Sequence, residues 1–314
     1  MVSEKLKANW VELLKEWLAI LNPVPIDSNQ EVWHYTRGES LIKMVEQGSL
    51  LMTQVSCLND TSEIRHAIRL FRDALLEVMA ETKAEESIYA FLQRYLGTLN
   101  DDDDVPASAN NMFFVTCFSE LRDDLGMWRS YSGGENGYAV GFKIGHLFAP
   151  QNNCLLGRVN YDLDTHRTLA RQMALATVEA YKEWRNELGE ARALEEETTF
   201  LTEWSNAITH VAPFVKDAGF SSEKEIRITR PFAPQDFDRI IILQKNTMMT
   251  RHLPLQFPAG LLQDADRFIL PISQVIVGPG RHKQISLVST HALLAKYKYP
   301  PNLGVKSIRP YQET

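Results

Sequence analysis

The sequence predicts an α+β fold in which strands and helices are interspersed without the regular alternation of a doubly wound sheet. Three observations carry that expectation. Short apolar or alternating stretches, bounded by Gly, Pro, Asn or Asp, recur in both halves of the chain. The stretch from Asp164 to about Val211 is charged, keeps helical period and is interrupted only by Gly189. In the last third, candidate strands over Lys224–Thr229, Arg239–Gln244, Arg267–Pro271, Gln274–Gly278 and Val305–Ile308 include one helix among them, over Lys283–Tyr297.

Taken in order, Leu6, Trp10, Leu13, Leu14, Trp17, Leu18 and Leu21 recur every three or four residues, which is the period of an amphipathic helix. Asn22-Pro23-Val24-Pro25 stops it. Glu31–Thr36 alternates as a short strand, with Val32, His34 and Thr36 on one face and Trp33 and Tyr35 on the other. A helix over Ser40–Gln47, ended by Gly48, leads to a second strand over Ser49–Thr53. A helix opening at Asn59-Asp60 and another over Glu85–Leu96 follow. Asp60 three residues before Glu63 reads as a capping box, satisfying donors at a helix N-terminus. The run Asp101–Asp104 lacks any packing pattern and reads as a solvated loop. Asn111–Ser119 is the most strand-like apolar stretch, followed by a capped helix over Asp123–Tyr131. Gly133–Gly137 then turns the chain into the strand YAVGFKI, with GRVNYD the next strand. The Asp164–Val211 region is expected to form two helices outside the sheet. This organisation gives an N-terminal helical extension (1–30) and one domain (31–314) with helical insertions near 60–100 and 164–211.

Composition removes several function classes. With 314 residues, 44% of them hydrophobic, the chain buries a full core without disulfides or a structural metal. Its net charge is −7, and setting aside Asp101–Asp104 leaves 33 basic against 36 acidic residues. No basic excess is present to neutralise phosphates, which disfavours a dedicated DNA-coating protein or repressor. Cys57, Cys117 and Cys154 are odd in number and lie outside metal-ligand spacing, so a reducing compartment is expected. No run of about 18 apolar residues exists, and the first twenty residues lack a secretory pattern. A cytoplasmic protein without membrane contact is the expectation.

Familiar catalytic signatures are missing: no GxGxxG after a strand, no Walker A lysine loop, no HExxH and no GxSxG. Gly278-Pro279-Gly280 is a turn, and the eight histidines show no pair at ligand spacing, so no metal is expected. What remains is a set of polar residues on strand-like segments: His34, Thr116, Ser119, Glu223 and Glu225. A polar group left dry and unpaired costs about 1–3 kcal/mol, so each needs a partner or a ligand. His34 beside aromatics reads first as a hydrogen-bonded core or edge residue. Alternation places Glu223, Glu225 and Arg227 on one strand face, where a solvated Glu–Arg pair is the plain reading. Trp128 and Tyr131, at i and i+3, read as core-facing helix residues before they read as a ligand wall.

The order of segments resembles the bacterial and prophage proteins grouped as domain of unknown function 2971. The matching pieces are Trp33–Thr36, LND with Glu63, Val115–Glu120, Met127–Tyr131 with GYAVGF, Phe220–Ile228, Ile276–Gly280 and Ser307–Tyr311. A more distant similarity is to ADP-ribosyltransferase folds, which carry an Arg or His on a first strand, a Ser/Thr/Tyr strand followed by a helix, and a late Glu, often as ExE. His34, TCFS with the following helix, and Glu223-Lys224-Glu225 are similar to that order, although TCFS departs from STS and leaves Thr116, Ser119 or Tyr131 for the middle role.

The resemblance implies a mixed or antiparallel split sheet with peripheral helices, and NAD or a related nucleotide as substrate. It implies Glu225 as the carboxylate facing an oxocarbenium-like transition state, supported by Ser119, and Glu223 engaging an acceptor. It further implies His34 holding a ribose hydroxyl or the nicotinamide amide. Tyr131 or Tyr35 would stack on nicotinamide, with Thr36, Thr116 and Trp128 lining the cleft. The acceptor, protein or nucleic acid, is not specified, and the prophage setting suggests a toxin or phage-defence effector. Two other readings stay open: a Mg²⁺ nuclease gathering Asp60, Glu63, Glu223 and Glu225, and a non-catalytic nucleotide-sensing module.

Overall fold

The computed structural model describes residues 4–58, 62–99, 113–131, 137–148, 154–245, 248–255, 257, 263–264 and 267–310. Asn59, Asp60, the run Asp101–Asp104, Gly133–Asn136 and Tyr311, and the side chain of Glu63, lie outside the described residues. The first elements are α1 (Glu4–Leu21), β1 (Glu31–Thr36), α2 (Gly38–Gln47), β2 (Leu51–Gln54), α3 (Ser62–Glu81) and α4 (Glu86–Thr98). The middle of the chain forms β3 (Phe113–Ser119), α5 (Leu125–Tyr131), β4 (Tyr138–Lys143), α6 (Ile144–Leu147), β5 (Leu155–Arg158), α7 (Leu163–Leu188), α8 (Glu190–Glu195) and α9 (Glu197–Val211). The last part forms β6 (Glu225–Pro231), β7 (Ile241–Lys245), β8 (Met248–Pro254), β9 (Gln263–Asp264), β10 (Arg267–Phe268), β11 (Ile272–Val277), α10 (Lys283–Lys296) and β12 (Gly304–Lys306). Among the described residues no helix is long and apolar enough to cross a membrane.

The chain divides into two compact units. One gathers residues 1–24, 55–113 and 159–220, so the N-terminal helix and both expected insertions come together in a helical body. The expected two helices over Asp164–Val211 are three, because Gly189 at φ +79° and then Glu196 interrupt the α-helical run. Asp162 caps α7 by accepting from the Thr165 amide at 2.9 Å. The core is aromatic: Phe91 stacks on Tyr181 with centroids 3.6 Å apart, and Phe200 stacks on Trp204 at 5.7 Å. Buried Glu197 sits among these rings because Arg94 meets it with two nitrogens, at 2.5 and 2.7 Å, and the Tyr181 hydroxyl donates to it at 2.8 Å. Burial, with that hydrogen bond adding, pushes the Tyr181 hydroxyl up to about 12.

The other unit, residues 25–54, 114–158 and 221–314, holds the sheet. Its strand order is β12-β11-β4-β1-β3-β2-β8-β7, with β6 joining β3 and β5 joining β6. The sheet is mixed: β11 and β12 are parallel, whereas β1–β4 and β2–β8 are antiparallel. β3 has two edges and three partners. β1 reaches it only at Ser119, through Trp33, while β2 reaches it at Phe114 and Val115. Those two contacts do not overlap, so one edge can carry both strands in turn, and the sheet divides between them.

Alternation sorts side chains onto two faces. On β1, Val32 and His34 stand opposite Phe142 and Val140 of β4, facing the larger core with α2 and α10. Trp33 and Tyr35 face the other way and pack with Met127, Trp128, Ala139 and Ile276 against α5. On β6, Ile226 and Ile228 belong to the larger core, so Glu225, Arg227 and Thr229 project toward the α5 face. Each large apolar side chain so buried contributes about 1.5–3 kcal/mol.

The hairpin β7–β8 extends the sheet, and β8 had no counterpart among the sequence expectations. Two of its buried residues explain why: Thr250 and His252, beside the buried apolar Leu253, are polar and bond each other at 2.8 Å. The helix stop at Gly48 is as expected, with φ +60° and its amide bonded to the Met44 carbonyl. A Cβ added there would lie 1.8 Å from the Phe268 carbonyl oxygen. Gly48→Ala is therefore expected to lower stability by more than the roughly 1–2 kcal/mol of left-handed backbone alone, measured by urea denaturation; a loss below 1 kcal/mol would contradict this packing.

Candidate functional site

The polar residues singled out in the sequence gather around the C-terminal end of β3, but on two different faces. On the larger-core face, His34 places its Nδ1 2.9 Å from the Cys117 carbonyl oxygen and its ring edge-on to Phe118, centroids 5.9 Å apart. Cys117 lies between the β1 and β2 contacts on β3, so the imidazole supplies a partner to a carbonyl where the strands part. Part of His34 remains accessible at its surface, yet the ring is enclosed enough that burial holds its pKa below the ordinary 6.5, against the opposing hydrogen bond to Cys117. Thr36 and Thr116 share this face and are buried. The Thr116 hydroxyl has no hydrogen-bond partner among the described residues.

On the α5 face, Tyr131 donates its hydroxyl to Glu223 Oε1 at 2.9 Å. Ser119, fully buried, donates to the Glu223 carbonyl at 2.6 Å and accepts from the Leu121 amide at 3.1 Å. Glu223 ends a 3-10 turn, Ala218–Glu223, and is half-buried. Lys224 adopts φ +48° between this turn and β6, and its carbonyl accepts from the Glu120 amide at 3.0 Å. That left-handed residue breaks the alternation on which Glu223 and Glu225 would share a strand face. Glu225 begins β6, is 4% exposed, and its Oε2 accepts from Arg227 at 2.6 Å. The i, i+2 pairing of Glu225 with Arg227 follows the strand as expected, but it is buried rather than solvated.

Several assigned roles change accordingly. Ser119 supports the backbone of Glu223, not the carboxylate of Glu225. Tyr35 is not a free stacking surface: its hydroxyl donates to the Leu121 carbonyl at 2.7 Å and accepts from the Asp124 amide at 3.1 Å, its ring packs edge-on to Trp128, and burial raises its pKa strongly. Trp128 is buried and donates Nε1 to Asp123 at 2.7 Å. His34, Thr36 and Thr116 are brought together on one face, and Tyr35, Ser119, Trp128, Tyr131, Glu223 and Glu225 on the other. The structure does not bring His34 onto the face of Glu225.

Residues 127–228 match the family model described as "Protein of unknown function (DUF2971)". No curated protein matches the chain, and no solved structure does. The matched stretch runs from α5 to β6, so it includes Trp128, Tyr131, Glu223 and Glu225 and leaves out His34.

Two residues escaped the sequence reading. Asp123 accepts from Trp128, from the Ser307 hydroxyl at 2.7 Å and from the Ile308 amide at 2.9 Å, tying the C-terminal SIRP segment to α5. Glu120 accepts from Gln30 at 2.7 Å and from Arg158 at 2.8 Å. Both lie in loop context between β3 and α5, and nothing local points to the distant partners they hold. Of the Mg²⁺ nuclease set, Asp60 and the Glu63 side chain lie outside the described residues, Glu225 is engaged by Arg227, and no group of three possible metal ligands exists among the described residues.

Two outcomes follow from this geometry. Glu225→Gln removes the carboxylate charge paired with buried Arg227 and is expected to cost about 3–5 kcal/mol, while the double change Glu225→Leu/Arg227→Met recovers most of it. Urea denaturation of the three proteins checks this, and a loss under 1 kcal/mol in the single variant would contradict the buried pair. Because the folded-state pKa of His34 is lowered, the unfolded chain binds the proton more readily, so stability falls as pH drops through 6.5. His34→Gln should shrink the stability difference between pH 7.5 and 5.5, with His166, shifted in the same direction, supplying a remainder; an unchanged difference would contradict the enclosure of this ring.

Proposed function

We propose that the chain binds NAD and breaks its bond to nicotinamide, as a mono-ADP-ribosyltransferase or an NAD-cleaving relative, with Glu223 as the working carboxylate. One observation carries the choice of residue: of the two glutamates of the ExE segment, Glu225 is committed to a buried ion pair, whereas Glu223 is half-buried and oriented by Tyr131. The activity itself rests on the ordered resemblance to ADP-ribosyltransferases. In this reading the ribose C1′–N bond breaks and nicotinamide departs with the bonding pair. Positive charge then develops on the ribose ring, and Glu223 opposes it at close range. Water or a nucleophile of a protein or nucleic acid attacks C1′ and gives up a proton. Ser119 and Tyr131 position the carboxylate through its backbone and its Oε1. His34 takes no part in ligand binding here; its role is to hold the divided sheet. A toxin or phage-defence role belongs to the same proposal and rests on the prophage resemblance.

A second reading, a nucleotide-sensing module without turnover, is favoured by the placement of His34 away from Glu223 and Glu225, since one of the three motif positions then serves structure alone. Chromatographic assay of nicotinamide release from NAD by the full chain separates the two. The proposal expects release that falls at least about 100-fold in Glu223→Gln and about tenfold in Tyr131→Phe, the worth of one hydrogen bond. His34→Gln should retain turnover wherever it is folded. NAD binding with no release by the wild-type chain would replace the proposal with the sensing module.

A further inference from the structure

The sequence shows no pair of histidines at metal-ligand spacing, but the helical unit brings two together from 100 positions apart. His66 of α3 and His166 of α7 stand with ring centroids 5.7 Å apart and planes at 74°. The Nε2 of His166 lies 2.9 Å from the Asn160 carbonyl oxygen, which fixes the proton on that nitrogen and leaves a lone pair on Nδ1. His166 is 2% exposed, and its Nδ1 is buried without a hydrogen-bond partner among the described residues. The Nε2 of His66 is buried without a partner among the described residues as well. Two orphaned imidazole nitrogens on adjoining rings are costly, about 1–3 kcal/mol each. The apolar side chains that line a small cavity beside His166, among them Ala67, Leu70, Phe71, Leu169 and Val211, offer no donor or acceptor to relieve it.

We infer that His66 and His166 form a two-histidine site for a borderline divalent metal ion such as Zn²⁺, bridging α3 and α7. The spacing suits such an ion. Zinc–nitrogen bonds of about 2.0–2.1 Å put each ligating ring centre about 3.2 Å from the metal, so two rings on one tetrahedral ion stand roughly 5–6 Å apart. A ligating imidazole that donates its other N–H to a backbone carbonyl is the usual supporting arrangement, and His166 has it. No third His, Cys, Asp or Glu among the described residues joins the pair, so water or an added ligand completes the coordination. The positive end of α7 opposes a cation near His166, and the nearby carboxylates of Asp162 and Asp217, which act on that ring electrostatically, offset it.

Isothermal titration of ZnCl₂ into the chelator-stripped full chain tests the site. One zinc per chain is expected, with affinity lowered at least tenfold in His66→Gln and in His166→Gln. His66 is only half-buried, so His66→Gln keeps the test valid if the His166 variant misfolds. Zinc should also raise the thermal midpoint of the wild type but not of His66→Gln. Absence of saturable binding, or binding of equal strength in wild type and His66→Gln, would overturn the inference.

Discussion

β3 is the constraint on which the strand unit rests, because one strand with two edges is asked to pair with three others. β1 holds one end of it, β2 the other, and β6 also pairs with it. A backbone carbonyl where strands part must find a donor, since buried main-chain groups are almost never left unpaired. At Cys117 that donor is the imidazole of His34. A net hydrogen bond is worth only about 1 kcal/mol, but an unmet carbonyl costs more, which makes a half-buried histidine a reasonable residue for the position.

The same sheet decides which of the two carboxylates solvent reaches. β6 must turn Ile226 and Ile228 into the larger core, and with a side-chain period of two this sends Glu225 and Arg227 to the opposite face. There they neutralise each other. A pair so deeply buried is poor ground for chemistry, because separating two desolvated opposite charges is costly. Lys224, in the left-handed region, offsets Glu223 from the strand, and Ser119 and Tyr131 hold it where solvent still reaches.

Much of this was legible in the residues. The alternation of EVWHYT, the buried stretch ending at Ser119, the helix stop at Gly48 and the Glu225–Arg227 pairing all follow from period and turn chemistry. Other features were not. A positive φ at a lysine has no local signature, so the sequence does not show that Glu223 ends a turn outside β6. β8 hides because Thr250 and His252 interrupt its apolar pattern although both are buried, bonding each other and reaching Leu243 and Thr53 on the neighbouring strands. The meeting of His66 and His166, like the clamp of Asp123 on Ser307, depends on contacts between residues far apart in the chain, which spacing along a sequence cannot express.

On the proposed reading a nucleotide is met on the α5 face, at Glu223, and not on the face that carries His34. Hydrogen–deuterium exchange of the full chain with and without a carbocyclic NAD analogue, whose bond to nicotinamide does not hydrolyse, tests it directly. Slowed exchange is predicted in α5 and in residues 218–224. Slowing confined to α2 and residues 32–36, with α5 and 218–224 unchanged, would contradict it.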